Sequence, residues 1–381
     1  MSKKRRRGHG EGSVWIRPDG RWQGRLDLGW QGGQRRSKDV YGRTQREVVD
    51  KLDQARRLQQ RGVPLGAERT TLGQLFDWWL KDVTPDRVKP STQLYYADKV
   101  RLHLKPHLGR VRVVKLGPSH VQAWMRARLD AGMSAGHVAG CLRVLRVFLN
   151  DCMRFGYVES NVAKLVKPPK QDRHEVTPLT PDEARRLLDA AVGDRLEALY
   201  AVCVALGLRR GEALGLCWSD VNLDTRTLRV RQALVRVGGR TMFTTPKSER
   251  SRRTLPLPQT CVDALRAHKR SQLVERLAAG SVWRDHDLVF SASIGTPLDP
   301  RTLARHYQRL CERAGVGHRR FHDLRHSAAS LLLAQGVSAR VVMETLGHSQ
   351  ISLTMNTYAH VMPVLMRDAA DAMDRALRMQ P

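Results

Sequence analysis

His322-Asp323-Leu324-Arg325-His326 is the stretch on which the reading of this chain turns. His322 and Arg325 stand three residues apart, so on a helix they share one face. Working outward, Pro246-Lys247-Ser248 lies upstream, and further upstream Gly207-Leu208-Arg209-Arg210-Gly211-Glu212 follows an apolar run. Downstream come Leu346-Gly347-His348 and Thr357-Tyr358. Two arginines, a lysine, two histidines and a tyrosine suit chemistry on a phosphodiester without a metal. Guanidinium groups hold phosphate oxygens. Lysine and histidine move protons, and a tyrosine hydroxyl can attack phosphorus.

The local pattern places each of these residues. Leu196, Leu199, Val202, Val204 and Leu206 make an apolar helix over 195–206, which Gly207 breaks. Arg209 then stands at the start of a helix running from Glu212 to Leu216, where backbone N–H groups also favour an anion. Glu212 can orient Arg209 from behind or simply pair with it on the helix surface. Leu228 to Arg231 and Val235 to Val237 alternate as strands, with Gly238-Gly239 as a turn. Thr241 to Thr245 and Arg253 to Leu257 read as further strands, so Lys247 is expected on a mobile hairpin tip. His322 opens a helix that runs to Gly336. Ser338 caps a short helix ending at Gly347, directly before His348. Tyr358 falls on a helix begun near Ser352.

These motifs, in this order, resemble the tyrosine recombinase (phage integrase) family, of the phage or integrative-element type. Motifs carry the resemblance over 180–360; helical pattern carries it over 70–165, and strand pattern alone over 10–62. The resemblance implies a site-specific recombinase that cuts and rejoins DNA. Tyr358 attacks the scissile phosphorus and leaves a 3′-phosphotyrosyl link and a 5′-hydroxyl. A phenol of pKa about 10 needs help losing its proton, and His322 is the expected base. Arg209 and Arg325 hydrogen-bond the non-bridging oxygens, with His348 as a further donor. Lys247 protonates the leaving 5′-oxygen. The covalent link stores the bond energy, so no metal, ATP or other cofactor is expected. An apolar stripe after Tyr358 (Leu365, Ala369, Ala372, Met373, Ala376) is expected to dock on a neighbouring protomer and tie a homotetramer together on DNA.

Composition fits a nucleic-acid partner. The net charge over 381 residues is +29, which favours a polyanion. No basic amphipathic helix with bulky apolar anchors argues for a membrane surface. No apolar run approaches the roughly 20 residues needed to span a bilayer, and Met1-Ser2-Lys3-Lys4-Arg5-Arg6-Arg7 has no apolar stretch behind it. The expected location is the bacterial cytoplasm, with the nucleoid. The six cysteines are scattered without a Cys-x-x-Cys pair, which disfavours a zinc ribbon or a disulfide scaffold.

The chain reads as a multidomain protein, mainly α with small β. A basic tail (1–10) precedes three strands and a helix over 1–62, the helix opened by Thr44-Gln45-Arg46-Glu47. By resemblance this is an arm-type DNA-binding domain, with Arg21 and Arg25 as contacts. Residues 70–166 are helical. Caps are expected at Thr71, Ser91, Ser119 and Ser134, with one helix ending near Pro106. By resemblance this is a SAM-like core-binding domain, and Arg101, Lys105, Arg126, Arg128, Arg143 and Arg146 on its polar faces are candidate DNA contacts. Residues 167–178, with three prolines, form a linker. Thr180-Pro181-Asp182-Glu183 then opens a mixed α/β catalytic domain over 179–381.

Two other readings use the same residues: a topoisomerase IB-like nicking-closing enzyme, and a DNA-binding regulator that keeps the fold without the chemistry. Covalent attachment to DNA separates the regulator, and strand exchange separates the topoisomerase. The attachment-site sequences, and the need for an excision factor or a host DNA-bending protein, stay open in the sequence.

Overall fold

A computed structural model of the chain describes residues 13–31, 34–60, 69–171, 177–245 and 252–347, with isolated helical positions at 370, 373, 374 and 377. The chain divides into two compact units, residues 1–172 and 173–381.

The first unit begins with β1 (Ser13–Ile16), β2 (Trp22–Gln31) and β3 (Gln34–Gly42), an antiparallel sheet in the order β1-β2-β3. Helix α1 (Gln45–Gln60) covers one face. Its Val48, Leu52 and Ala55 bury Leu26, with Val14, Trp22 and Val40 at the margin. Gly24 permits the approach, since a Cβ there would stand 2.6 Å from Leu52 and 2.7 Å from Val48. β2 continues through Gln31, and its register shifts between Asp27 and Trp30, so the strand takes up Gly29 at an irregularity. Thr44 Oγ1 accepts the Glu47 N–H at 3.2 Å, while the Glu47 carboxylate reaches the Arg43 N–H at 2.9 Å rather than that of Thr44.

A helical layer follows: α2 (Leu72–Trp78), α3 (Pro90–Lys99), α4 (Lys105–Leu108), α5 (Pro118–Asp130) and α6 (Ala135–Arg154). Phe76, Trp79, Leu104, Leu145 and Phe148 lie at its centre. The buried Trp79 indole donates to Asp151 at 2.8 Å. Thr71 and Ser134 cap helices as expected. Two other caps move. α3 begins at Pro90 after Lys89, so Ser91 lies inside it. α5 begins at Pro118 after Gly117, so Ser119 lies inside that one. In both, a proline pre-set for the first helical turn outweighs the serine. The helical stretch expected to end near Pro106 ends at Leu108. A π-helical turn over Val100–Leu104 hands on to α4, in which Pro106 occupies the first turn, where no N–H is required.

The second unit opens with α7 (Pro181–Ala190), capped reciprocally by Thr180 and Glu183. It continues through α8 (Glu197–Leu206), α9 (Arg210–Leu214), β4 (Val221–Asn222), β5 (Thr227–Val230), β6 (Ala233–Val237), β7 (Arg240–Thr244) and β8 (Arg253–Pro256). Then come α10 (Gln259–Ala279), α11 (Pro300–Ala314), α12 (Asp323–Ala334) and α13 (Ala339–Leu346). Leu199, Tyr200, Cys203, Leu228, Leu265, Phe290, Leu303 and Tyr307 form the core. The small strands make two sheets, β4-β5-β8 and β6-β7. β7 and β8 therefore do not pair with each other, contrary to the hairpin expected around Lys247. The Leu255 side chain of β8 is buried in the main core with Leu228 of β5, and that burial directs β8 to β5. The chain entering the unit is tied down where the Leu179 N–H donates to the buried Ser327 Oγ of α12 at 2.8 Å.

All six cysteines are buried and free.

Candidate active site

The end of α13 organises the described part of the site. The last carbonyls of a helix lack partners within it and carry partial negative charge, which suits cations. Three successive carbonyls here are taken by three arginines. Thr345 O accepts from Arg253 Nε at 2.7 Å, Leu346 O from Arg325 Nη2 at 2.6 Å, and Gly347 O from Arg209 Nη2 at 3.2 Å. Arg325 also donates to Gly207 O at 2.8 Å, which fastens the bend between α8 and α9 to α12 and α13. Gly207 is required at that bend. Its φ is +60°, and a Cβ would come within 2.5 Å of Leu346 Cδ2.

Glu212 connects two of the arginines. Its Oε1 accepts from Arg209 Nη1 at 2.6 Å, and its Oε2 from Arg253 Nη2 at 3.1 Å and from the Arg209 N–H at 3.1 Å. Burial by itself would raise this carboxyl, but Arg253 and then Arg209 outweigh it and hold it below its ordinary value. Of the two sequence alternatives for Glu212, a surface pair is excluded, because its side chain is only 4% exposed. Arg209 keeps 37% of its side chain exposed and Arg325 is buried.

His322 precedes α12 and keeps access to solvent. The protein around its ring, and then Arg325, push its pKa below the ordinary imidazole value, so the ring is neutral at pH 7. His326 stands edge-on to it, with ring centroids 5.3 Å apart. Burial, and then His322, push His326 down to about 4. Asp323 is locked by Arg320, whose N–H and Nη2 donate at 2.8 and 2.9 Å.

Arg209, Glu212, His322 and Arg325 thus belong to one region, and Lys247, His348 and Tyr358 lie outside the described residues. Sequence reasoning passed over Arg253. The signal was present: Arg253 shares strand parity with the buried Leu255, so its charge faces inward. In the first unit Arg21, Arg25, Arg101, Lys105, Arg126 and Arg143 are exposed, and Arg128 is half-buried. Arg25 is held by Asp39 at 2.6 Å, Lys105 by Asp77 at 2.6 Å and Arg126 by Asp130 at 3.2 Å. Arg146 is half-buried, and its guanidinium donates to Ala163 O at 3.0 Å and Val166 O at 2.6 Å, so it braces the end of the helical layer.

Comparison with known proteins agrees with this arrangement. The phage integrase family matches residues 177–363, and the phage integrase N-terminal SAM-like domain matches residues 71–127. A tyrosine recombinase XerC-like protein of Caldanaerobacter subterraneus subsp. tengcongensis is 30% identical over 356 residues, covering 88% of this chain and 91% of that protein. The Tn1549 transposon integrase, solved with transposon right end DNA, superposes with a TM-score of 0.68 at 20% identity over 81% of this chain and all of that chain. The lambda integrase tetramer on a Holliday junction gives a TM-score of 0.53 at 18% identity, over 92% of this chain and 96% of that one. These matches, added to the ordered motifs, favour a recombinase over a nicking-closing topoisomerase or a regulator. The chain belongs to the phage integrase family and is a tyrosine site-specific recombinase.

Proposed function

We propose that this recombinase integrates and excises a mobile element, cutting duplex DNA at attachment sites with Tyr358 as nucleophile. The Tyr358 oxygen bonds to the scissile phosphorus as the bond to the 5′-oxygen breaks. The phenol proton passes to His322, which is neutral at pH 7 and able to accept it. Lys247 gives a proton to the departing 5′-oxygen. Arg209 and Arg325, with His348, stabilise the charge that builds on the non-bridging oxygens. A 5′-hydroxyl of a partner strand then reverses the step and releases Tyr358.

The observation that carries this reading is the set of three arginines on successive carbonyls at the end of α13. Such a framework supplies fixed positive charge without reorganisation during reaction. Exchange between two duplexes needs four cleavages, which supports a homotetramer on DNA, as does the likeness to the lambda integrase tetramer. An excision factor or a host DNA-bending protein would set direction. Residues 1–62 serve as the arm-binding domain, 70–166 as the core-binding domain, 167–178 as linker and 179–381 as the catalytic domain. Arg21, Arg25, Arg101, Lys105, Arg126 and Arg143 contact DNA. No described helix is long and apolar enough to cross a membrane, and the substrate places the protein with the bacterial nucleoid in the cytoplasm.

The test is to trap and sequence covalent protein–DNA adducts from expressing cells, with Tyr358→Phe as control. Adducts at one sequence, lost in the control, are expected. Adducts scattered without sequence preference would favour the nicking-closing reading, and adducts that persist in Tyr358→Phe would overturn the assigned nucleophile.

A further inference from the structure

Away from the candidate active site, the helical layer of the first unit holds a second cluster of basic groups. Lys99 Nζ of α3 lies 2.8 Å from His137 Nε2 of α6, and the same nitrogen lies 3.0 Å from His103 Nε2 in the π-helical turn after α3. All three side chains are half-buried. The imidazoles meet edge to face, with centroids 4.6 Å apart, and Lys99 also lies over the Tyr95 ring at 5.3 Å.

The hydrogen bonds fix the protonation. An ammonium group only donates, so His137 Nε2 must be an acceptor. His103 Nε2, facing that same lone pair, must then carry a proton and donate. His137 is therefore neutral in this arrangement, and His103 carries its proton on Nε2. The groups acting on them electrostatically are all basic: Lys99 on both, with His137, Arg128 of α5 and His107 of α4 also acting on His103. Asp98, the carboxylate next to Lys99, faces Arg101 at 3.5 Å. Cys141 of α6 feels Lys99 as well, but its thiol is buried and held protonated, chiefly by desolvation. Arg128 adds a buried Nε with no hydrogen-bond partner among the described residues. Desolvation first, and neighbouring positive charge second, hold both histidines below their ordinary value.

We propose that Lys99, His103 and His137 form a phosphodiester-binding site for the DNA backbone that takes up protons when it is filled. A proton on His137 would turn its acceptor into a donor and set three donors against one another. An added anionic acceptor resolves that conflict, and the two non-bridging oxygens of a phosphodiester supply one. The anion raises the affinity of the rings for protons, so DNA binds more tightly as pH falls through the ordinary histidine range. This site rests on the recombinase reading for its ligand, but its residues and its proton linkage are separate from Tyr358 chemistry.

The test uses the full chain and a short duplex of arbitrary sequence, because a backbone contact is independent of base sequence. Calorimetric binding at pH 7, in two buffers of different ionisation enthalpy, gives the protons taken up. The wild-type chain is expected to take up about one proton more than His103→Gln/His137→Gln and to show affinity rising several-fold between pH 8 and 6, a rise that the double variant lacks. Lys99→Gln is expected to lower the salt slope of log affinity by about 0.9, the signature of one lost phosphate. Equal proton uptake and equal pH dependence in wild type and double variant would overturn the proposal, as would an unchanged salt slope in Lys99→Gln. Tyr358-dependent adducts are scored separately in expressing cells, where the attachment sites are present. Their loss with the proton linkage intact sinks the recombinase reading alone, and the reverse sinks this site alone.

Discussion

Arg253 and Glu212 form an ion pair at 3.1 Å in which the two side chains are only 7% and 4% exposed. The pair joins the first strand residue after the Lys247 segment to the helix behind Arg209, and through Thr345 to the end of α13. A charge pair this buried is sustained only by complete hydrogen bonding, so it holds three elements in one register.

Arg253→Met should therefore destabilise the protein by about 3–5 kcal/mol, because it leaves part of a buried carboxylate unpaired. Arg253→Lys keeps the charge but loses the fork that reaches both Glu212 and Thr345. It should retain the fold in urea unfolding while the rate of adduct formation drops by an order of magnitude or more. Full activity in the lysine variant would show that charge alone suffices.

Glu212→Gln should lower the rate of adduct formation more than DNA affinity. Arg209 would lose the carboxylate that aims it, whereas most affinity comes from phosphate contacts spread over the chain. Single-turnover cleavage against duplex binding measures the split. A loss confined to binding would mean that Glu212 does not orient Arg209.

Gly207→Ala combines a left-handed backbone with a Cβ placed 2.5 Å from Leu346. Strain and overpacking should together cost about 2–4 kcal/mol and push α13 away from the arginines that hold its end. Thermal unfolding and adduct yield should fall together. A variant melting with the wild type would disprove the tightness of this approach.

Acid should act through His326. Its folded value of about 4 lies below the ordinary 6.5. The stability linked to this depression is complete above pH 6.5 and is lost as pH falls towards 4. At 1.36 kcal/mol per pH unit the loss is about 3 kcal/mol. Urea unfolding at pH 7 and pH 4.5 should show the drop, and His326→Gln should shrink it. His322 is depressed in the same direction, so the acid limb of the pH–rate profile should fall below pH 6.5. A limb above 7 would exclude His322 as the base.

Much of this could be read along the chain because it is local. The caps at Thr71, Ser134, Thr180 and Ser338, the break at Gly207 and the helix opened by His322 each depend on a few adjacent residues. The motif order around Arg209, His322 and Arg325 likewise needs no distant partner to be recognised. Other features depend on what sits across the fold. Ser91 and Ser119 lost their caps to neighbouring prolines, and β7 and β8 went to different sheets because Leu255 is buried against β5. Arg146 has the polar character of a surface residue, yet carbonyls 17 and 20 residues away claim its guanidinium. Arg253 entered the site through partners 41 and 92 residues away. Periodicity and capping are encoded over one or two turns of chain. Which buried charge meets which carbonyl is fixed only when packing has excluded water and left each polar group only the partners within its reach.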